Sequence, residues 1–258
     1  MKRSVIGPWL AVTLGVVYFL TPLIATFEFS LRLKREYSFE AYRIVLADGA
    51  FQNSFLYSVA IALATIVLGI LLAVPTAYFV QLRLPKLRPY VEFVTLLPLV
   101  IPAIVLVFGY IRMYNSSSVL PLTGTAFGTD ILLTLGYVAL ALPYMYRAID
   151  TGLRAIDVRT LTEAAESLGA GSGTVLFWVI LPNIRAAILS GAFLTFAIVI
   201  GEFTFASLLN RPAFGPYLQL IGANRAYEPP ALAIMAFAIT WAAMGLMQLA
   251  GAARRPSA

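Results

Sequence analysis

Few residues of this 258-residue chain could take part in chemistry, and their types exclude most catalytic sites. The sequence has no cysteine and no histidine, which removes thiol nucleophiles, imidazole acid–base catalysis and zinc sites of the usual kinds. Its lysines are Lys2, Lys34 and Lys86, and because none of them follows a glycine, the phosphate-binding pattern G-x-x-x-x-G-K-[ST] does not occur. We therefore predict a protein without a metal, a cofactor or an ATPase site of its own.

Glu202 is the one carboxylate well inside a predicted membrane segment. It lies 17 residues after Arg185, which corresponds to about 25 Å along a helix. A charge at bilayer depth is costly and usually faces the protein interior or a cavity. Two interpretations stay open: the carboxylate contacts a cationic substrate, or it makes an internal hydrogen bond that fixes helix packing. An intramembrane hydrolase is disfavoured, because it needs a second deep carboxylate or a serine–lysine pair at membrane depth.

The composition is that of a membrane protein. Hydrophobic residues make up 60% and charged residues 12% of the chain, and the mean hydropathy is +0.88, whereas globular domains carry about 25% charged residues. A helix needs about 20 apolar residues to cross a bilayer. We predict an all-α fold with six transmembrane helices, in the stretches Val5–Phe27, Ser54–Val80, Tyr90–Tyr110, Ile131–Tyr146, Ala186–Leu209 and Pro230–Ala252.

The basic residues indicate how these helices are oriented. With the N-terminus inside, 11 of the 18 lysines and arginines lie on the cytoplasmic side, so the positive-inside rule favours N-in and C-in. The apolar run after Met1-Lys2-Arg3 is too long for a signal peptide and is interpreted as a retained anchor. The net charge of +6 comes from membrane flanks and indicates no nucleic-acid partner. Residues 1–258 are predicted to form one membrane domain, with a short outer amphipathic segment at Tyr37–Leu46.

Prolines interrupt several predicted spans, and two of them mark a candidate pathway. Each proline removes a backbone hydrogen bond, and in a bilayer the freed group must be satisfied by a neighbouring helix or a water-filled cavity. Pro98 and Pro102 lie four residues apart on one helix face. We expect the third helix to bend there around a substrate pathway, to which we assign Pro98, Pro102 and Glu202. Ordinary packing kinks are the alternative.

The stretch Thr160–Pro182 is a long polar and small-residue interruption between apolar runs, and it carries an ordered pattern. Thr160 and Glu163 have the spacing of a capping box, in which each side chain bonds a free amide at the helix start. Gly169 suits a left-handed helix end. A second helical run, Thr174–Ile180, is expected to end there because of the proline that follows. The sequence thus predicts a helix, a glycine turn and a second helix between two membrane spans.

At these residues the chain resembles the ABC importer permeases. The order Glu163-Ala164-Ala165, then Gly169, then Val179-Ile180-Leu181-Pro182 is similar to the EAA loop of that family, with valine where isoleucine is usual. In the family this loop is a pair of cytoplasmic coupling helices that docks into a cleft on the ATPase subunit. An ordinary interfacial helix hairpin is the alternative.

Two further segments carry the same resemblance. Asn53-Ser54 followed by Leu72–Tyr78 resembles the start and end of the second span of importer permeases, with Ala73 where glycine is usual. Gly201-Glu202-Phe203 resembles a segment of the polyamine, thiamine, iron, sulfate and molybdate permeases. The resemblance covers most of the chain from Asn53 to the final helix. The sequence as a whole is most similar to the spermidine/putrescine permeases.

The resemblance implies a fold, a location and a set of partners. It implies the six-helix permease fold of type I importers in the inner membrane, with a core at about residues 54–252 and a coupling loop at 157–182. The residues implied to couple to the ATPase are Glu163, Ala164, Ala165, Gly169, Leu181 and Pro182. The implied partners are two ATPase subunits, a second permease chain and an extracytoplasmic binding protein.

The substrate is the least determined part of this prediction. Polyamines are the substrates that the resemblance implies, while thiamine, iron, phosphonate, sulfate and molybdate stay open. A passive channel is the alternative from a different class of protein. We disfavour it because a channel has no need of a long cytoplasmic docking loop.

Overall fold

The computed structural model describes residues 6–33 and 37–252, and the regular elements in these ranges are all helical, as predicted. Two short 3₁₀ turns, Pro85–Leu87 and Leu122–Gly124, join longer helices. In chain order the helices are α1 (Ile6–Ser30), α2 (Glu40–Ala47), α3 (Gly49–Leu82), α4 (Arg88–Val100), α5 (Ala103–Met113), α6 (Ala126–Arg154), α7 (Val158–Ser167), α8 (Ser172–Asn183), α9 (Arg185–Gly201), α10 (Thr204–Leu208), α11 (Phe214–Asn224) and α12 (Glu228–Ala252).

Three of these helices, α1, α3 and α6, are each long and apolar enough to cross a membrane. The third predicted span is a bent pair, in which the segment that ends with α4 meets α5 at 98°. The fifth predicted span, Ala186–Leu209, is not one helix: α9 stops at Gly201, α10 follows after a break, and α8 meets α9 at 78°. The sixth predicted span corresponds to α12, whose segment Glu228–Ala242 is apolar but shorter than a full membrane span.

The chain divides into two compact units, residues 1–53 with 217–239, and residues 54–216 with 240–258. In the first unit, the Ser30 and Tyr42 hydroxyls share a hydrogen bond of 2.7 Å, and the Tyr217 hydroxyl donates to Asp48 at 2.9 Å. The Tyr217 hydroxyl and the Ala50 N–H hold the pKa of Asp48 below its usual value. The predicted amphipathic segment corresponds to α2, which buries one apolar side.

In the second unit, α6 and α9 pack closely because glycines lie at their crossing. A Cβ atom added to Gly152 would lie 2.4 Å from the Ala187 Cβ atom, and one added to Gly191 would lie 2.7 Å from the Met145 sulfur. Small residues let helix backbones approach in this way within membranes. The fourth span is longer than the predicted Ile131–Tyr146.

The hydrophobic core of this unit lies against the segment that the sequence predicts as the coupling loop. It joins α3, α6, α7, α8 and α9. Its buried members are Ala73, Val74, Ala77, Tyr78, Met145, Tyr146, Ile149, Leu153, Val158, Val175, Leu176, Ile180, Ile184 and Ile188. The loop is therefore a packed part of the unit.

Candidate functional site

The start of α7 is capped by Asp157. Its carboxylate accepts hydrogen bonds from the Thr160 N–H at 3.1 Å and from the Thr160 hydroxyl at 2.7 Å. The Thr160 groups hold the pKa of Asp157 below its usual value. The predicted capping box is wrong, because the helix begins two residues before Thr160 and Glu163 instead pairs with Arg159 at 2.8 Å.

The end of α7 confirms the prediction for Gly169, whose φ of +84° lies in the left-handed region. The Gly169 N–H donates to the Glu166 carbonyl at 2.9 Å, and the Ala170 N–H donates to the Ala165 carbonyl at 3.0 Å. These two bonds form a Schellman motif, which satisfies carbonyls that the helix end leaves free. Ala165 and Ala170 also pack together on the core. The backbone at Gly169 therefore sets the angle between α7 and α8.

The second helix, α8, runs three residues further than predicted. Its middle, Val175–Ile180, is a π-helix in which the Leu181 N–H donates to the carbonyl of Leu176, five residues earlier. The helix then passes through Pro182 to Asn183, whose side-chain amide donates to the Val179 carbonyl at 2.8 Å. The wider π turn takes the chain out of the α-helical pattern, so the proline does not stop it.

The hairpin formed by α7 and α8 has one buried and one exposed face. Its buried face rests on the core through Val158, Val175 and Ile180, and the Thr162 and Tyr78 hydroxyls lie 3.2 Å apart. On the exposed side are large apolar side chains, Leu168 and Trp178, which are 90% and 80% exposed. Glu163, Ala164 and Pro182 are exposed as well, whereas Ala165 and Leu181 are partly buried. The hairpin thus presents a mixed apolar and charged surface on a fixed support.

The break in the third span lies at Pro102. Ile101 and Pro102 have extended backbone between α4 and α5, and the Pro102 carbonyl accepts from the N–H groups of Val105 and Leu106. Pro98 lies inside α4 and does not interrupt it. The expected bend is therefore present at one of the two prolines, Pro102.

Glu202 lies at the break between α9 and α10, where its backbone is extended. One carboxylate oxygen accepts from the Thr204 N–H at 2.7 Å, and both oxygens accept from the Phe205 N–H at 3.1 and 3.0 Å. These N–H groups lie in the first turn of α10, where the helix has no earlier carbonyl to accept their hydrogen bonds. The half-buried carboxylate therefore caps the start of α10 locally, and its role in helix packing stays a prediction. Contact with a substrate stays a prediction.

A charged group that sequence reasoning did not assemble lies between α4 and α6. Arg88 pairs with Glu92 at 2.8 Å and with Asp150 at 3.3 Å, and Arg154 pairs with the same two carboxylates at 3.2 and 2.6 Å. Two of these pairs are visible in the sequence as four-residue spacings on a helix. The contact between the helices is not visible there, since the two pairs are separated by about 60 residues.

Residues 65–253 match the protein family described as "Binding-protein-dependent transport system inner membrane component". The molybdenum transport system permease protein ModB of Mycobacterium tuberculosis is 31% identical over 197 residues, which cover 73% of this chain and 70% of ModB. The spermidine/putrescine transport system permease protein PotB of Haemophilus influenzae is 29% identical over 170 residues, which cover 62% of this chain and 57% of PotB.

A similar fold occurs in a solved structure, that of a bacterial ABC transporter involved in the import of the acidic polysaccharide alginate. The TM-score is 0.72 at 13% sequence identity, with 98% of this chain and 99% of the other chain covered. At this identity the likeness concerns the fold alone.

Proposed function

Because this chain belongs to the family of binding-protein-dependent inner membrane components, and so is the permease subunit of an ABC importer and not an enzyme, we propose that its α7–α8 hairpin is the surface on which the separate ATPase subunit docks. One observation carries this proposal: the hairpin is fixed to the core on one face, while Leu168 and Trp178 are exposed on the other. Exposed apolar patches mark interaction surfaces.

The coupling residues predicted from sequence take two roles in this proposal. Glu163, Ala164 and Pro182 contact the ATPase directly, because they are exposed. Gly169 sets the turn, and Ala165 and Leu181 hold the hairpin against the core. A movement of the ATPase is then passed to α3, α6 and α9, since the hairpin packs on all three helices.

An importer permease works with an ATPase, a binding protein and another permease chain. We propose two ATPase subunits and two permease chains, which rock between inward-open and outward-open states as rigid bodies around a central path. In this scheme Pro98, Pro102 and Glu202 line or shape the path. The two helix breaks, at Pro102 and Glu202, supply the irregular backbone that membranes tolerate only beside protein or a cavity.

For the substrate we propose a small charged solute, with polyamines as the class that the sequence favours. The likeness to PotB supports this class. Molybdate is the second candidate, and two observations favour it: the likeness to ModB, and the backbone N–H groups that already occupy the Glu202 carboxylate. An ionised carboxylate has about four acceptor positions, so capping and contact with a cation are compatible.

Charge reversal at Glu163 tests the docking proposal. We expect Glu163→Lys to abolish uptake and co-purification of the ATPase while membrane insertion and the melting temperature stay unchanged. The Arg159–Glu163 pair is exposed and contributes little to stability, so the effect arises at the docking surface. The measurement is the ATPase recovered with a tagged permease, together with uptake.

The charge-swapped double variant Arg159→Glu with Glu163→Lys is the matched control. It restores the pair within α7 but still presents the reversed charge at residue 163. If the swapped variant recovers coupling, the internal pair matters and Glu163 does not contact the ATPase. Full uptake in the single variant contradicts the docking proposal itself.

A further inference from the structure

The half-helix α4 is held loosely by the rest of its unit. Of its 13 residues only Thr95 is buried, whereas α6, on which α4 packs, has buried residues along most of its length. Cavities border α4 on two sides, one of about 610 Å³ between α4 and α6 and one of about 370 Å³ between α3, α4 and α6. Protein interiors are normally close-packed, so a helix with space beside it and few buried side chains is among the parts that move most easily.

Both ends of α4 have irregular backbone. At its C-terminal end Ile101 and Pro102 are extended, and the chain then turns by 98° into α5. At its N-terminal end Leu84 and the 3₁₀ turn Pro85–Leu87 separate it from α3. A few residues of irregular backbone at the end of a helix are the usual hinges of lid and domain movements. The helix α4 can therefore turn as one rigid piece about these two ends.

Four charged side chains tie α4 to α6 beside the larger cavity. Arg88 pairs with Asp150 at 3.3 Å and Arg154 pairs with Glu92 at 3.2 Å, and both of these pairs cross between the helices. The other two pairs of the group lie within α4 and within α6. Three of the four side chains are 35–50% exposed, so each crossing pair is weak and opens reversibly.

We propose that α4 is a gate on the side that the sequence assigns to the cytoplasm, and that these four charges are the latch that holds it closed on α6. The larger cavity shares four lining residues with an apolar groove of about 510 Å³ between α4, α6 and α9. Movement of α4 away from α6 joins the two spaces. The gate adds a movement within one chain to the rocking of whole permease chains. Its use in transport rests on the proposed function, whereas the movement itself does not.

Exchange of the charges on one helix at a time tests the latch. Arg88→Glu with Glu92→Arg keeps the pair within α4 and the net charge of the chain, but turns both crossing pairs into contacts between like charges. Asp150→Arg with Arg154→Asp does the same from α6. The four substitutions together restore every pair. Arg147→Gln is included in every chain, the reference chain as well, because Arg147 also acts on Asp150.

A single cysteine at Thr95 reports the movement in purified tagged permease, together with the ATPase that co-purifies, in nanodiscs. Thr95 is 7% exposed and lines the cavities on both sides of α4, so Thr95→Cys should react slowly with a bulky thiol reagent while the gate is closed. Either one-helix exchange should raise this rate about tenfold, because two attractive pairs become repulsive and the rate follows the open fraction. The four-charge exchange should return the rate to that of the reference chain.

Salt provides a second measurement on the same chains. In about 1 M salt the screening length is about 3 Å. Added salt should therefore speed the labelling of Thr95→Cys in the reference chain, where it weakens attraction across the latch. In the one-helix exchanges it should slow the labelling, since there it weakens repulsion.

Thr134→Cys is the matched control, because Thr134 is 8% exposed on α6 and lines neither of the two cavities beside α4. Its labelling rate should be the same in all these chains, and an equal rise at both cysteines would indicate general loosening and overturn the latch. So would an unchanged rate at Thr95→Cys in both one-helix exchanges, a rise that the four-charge exchange does not reverse, or a salt effect of one sign throughout. The expected rates in a permease that recovers no ATPase support the gate and contradict the docking proposal alone.

Discussion

The turn at Gly169 and the break at Glu202 interrupt helices in the same unit, yet they are closed in opposite ways. At Gly169 the backbone closes the helix end by itself, through two bonds to its own carbonyls, and the preceding Leu168 side chain is exposed. At Glu202 a side-chain carboxylate closes the start of the next helix and is half-buried. The first leaves a surface free for a partner, and the second uses its polar groups internally.

The turn at Gly169 has open space around it, whereas the break at Glu202 is closely packed. A Cβ atom added to Gly169 would meet nothing within 4 Å, whereas one added to Gly215 would lie 2.4 Å from the Glu202 carbonyl oxygen. Phe205, just after the break, is fully buried, and a Cβ atom on Gly136 would lie 2.3 Å from its ring. Substitutions at the turn should therefore alter partner binding, while substitutions at the break should first alter stability.

The largest effect is expected at Gly169. Gly169→Asp should abolish uptake and ATPase co-purification, because an Asp side chain at φ +84° is strained and adds a charge at the docking turn. Membrane insertion should be unchanged, since no neighbouring atom is displaced. The measurements are uptake, ATPase recovery and the amount of folded permease in the membrane.

Gly171→Asp is the matched control for this variant. Gly171 lies in the same turn, is equally exposed and has open space for a side chain, but its φ of −73° suits any residue. The same added charge should therefore leave coupling largely intact. Equal loss in both variants would mean that charge and not backbone geometry matters, and normal coupling in both would contradict the role of this turn.

The second prediction concerns the side of the membrane on which the hairpin lies. A cysteine introduced at Ser172 should react with a membrane-impermeant thiol reagent only from the cytoplasm, and one at Asn115 only from outside. The chain has no cysteine of its own, so no native thiol contributes to the labelling. Ser172 is exposed, and Val119, which is 99% exposed in the same loop as Asn115, offers a second outer site. Reversed labelling would contradict the orientation and the docking proposal together.

The sequence predicts the long apolar helices well, because their length and composition are local properties. It also predicts the left-handed conformation of Gly169, since few other residues adopt it. It places the first cap wrongly, because Asp157 and Thr160 are both capping residue types and the sequence alone does not decide which of them begins α7. It misses the break at Glu202, where no local proline marks the helix end and the Glu202 carbonyl lies close to Gly215, in a later part of the chain.

The charged group between α4 and α6 shows a further limit. Each helix carries an arginine and a carboxylate four residues apart, which sequence alone explains as solvated pairs. Only the packing of α4 on α6 closes the group and leaves Tyr146 and Arg147 beside it. Sites built from residues on two helices are beyond what local periodicity can predict.

The smallest effect is expected at Glu202, and it decides between the two interpretations of this carboxylate. Glu202→Gln keeps the size and one acceptor oxygen but removes the charge. Hydrogen bonds to a charged group are about twice as strong as neutral ones, so weakening those from Thr204 and Phe205 should cost about 1 kcal/mol and lower the melting temperature by about 2–4 °C. Both the melting temperature and uptake should be measured on the same purified complex.

Uptake per folded complex separates stability from transport. If Glu202 also contacts a cationic substrate in the pathway, the lost attraction is roughly 4 kcal/mol for charges about 4 Å apart at an effective dielectric near 20, and uptake should fall far more than stability does. Glu228→Gln serves as the comparison, because Glu228 is a buried carboxylate at the start of a different helix, α12. Normal uptake in both variants, with a lower melting temperature for Glu202→Gln, assigns Glu202 to the packing of the break and removes the charge of Glu202 as an argument for a polyamine substrate.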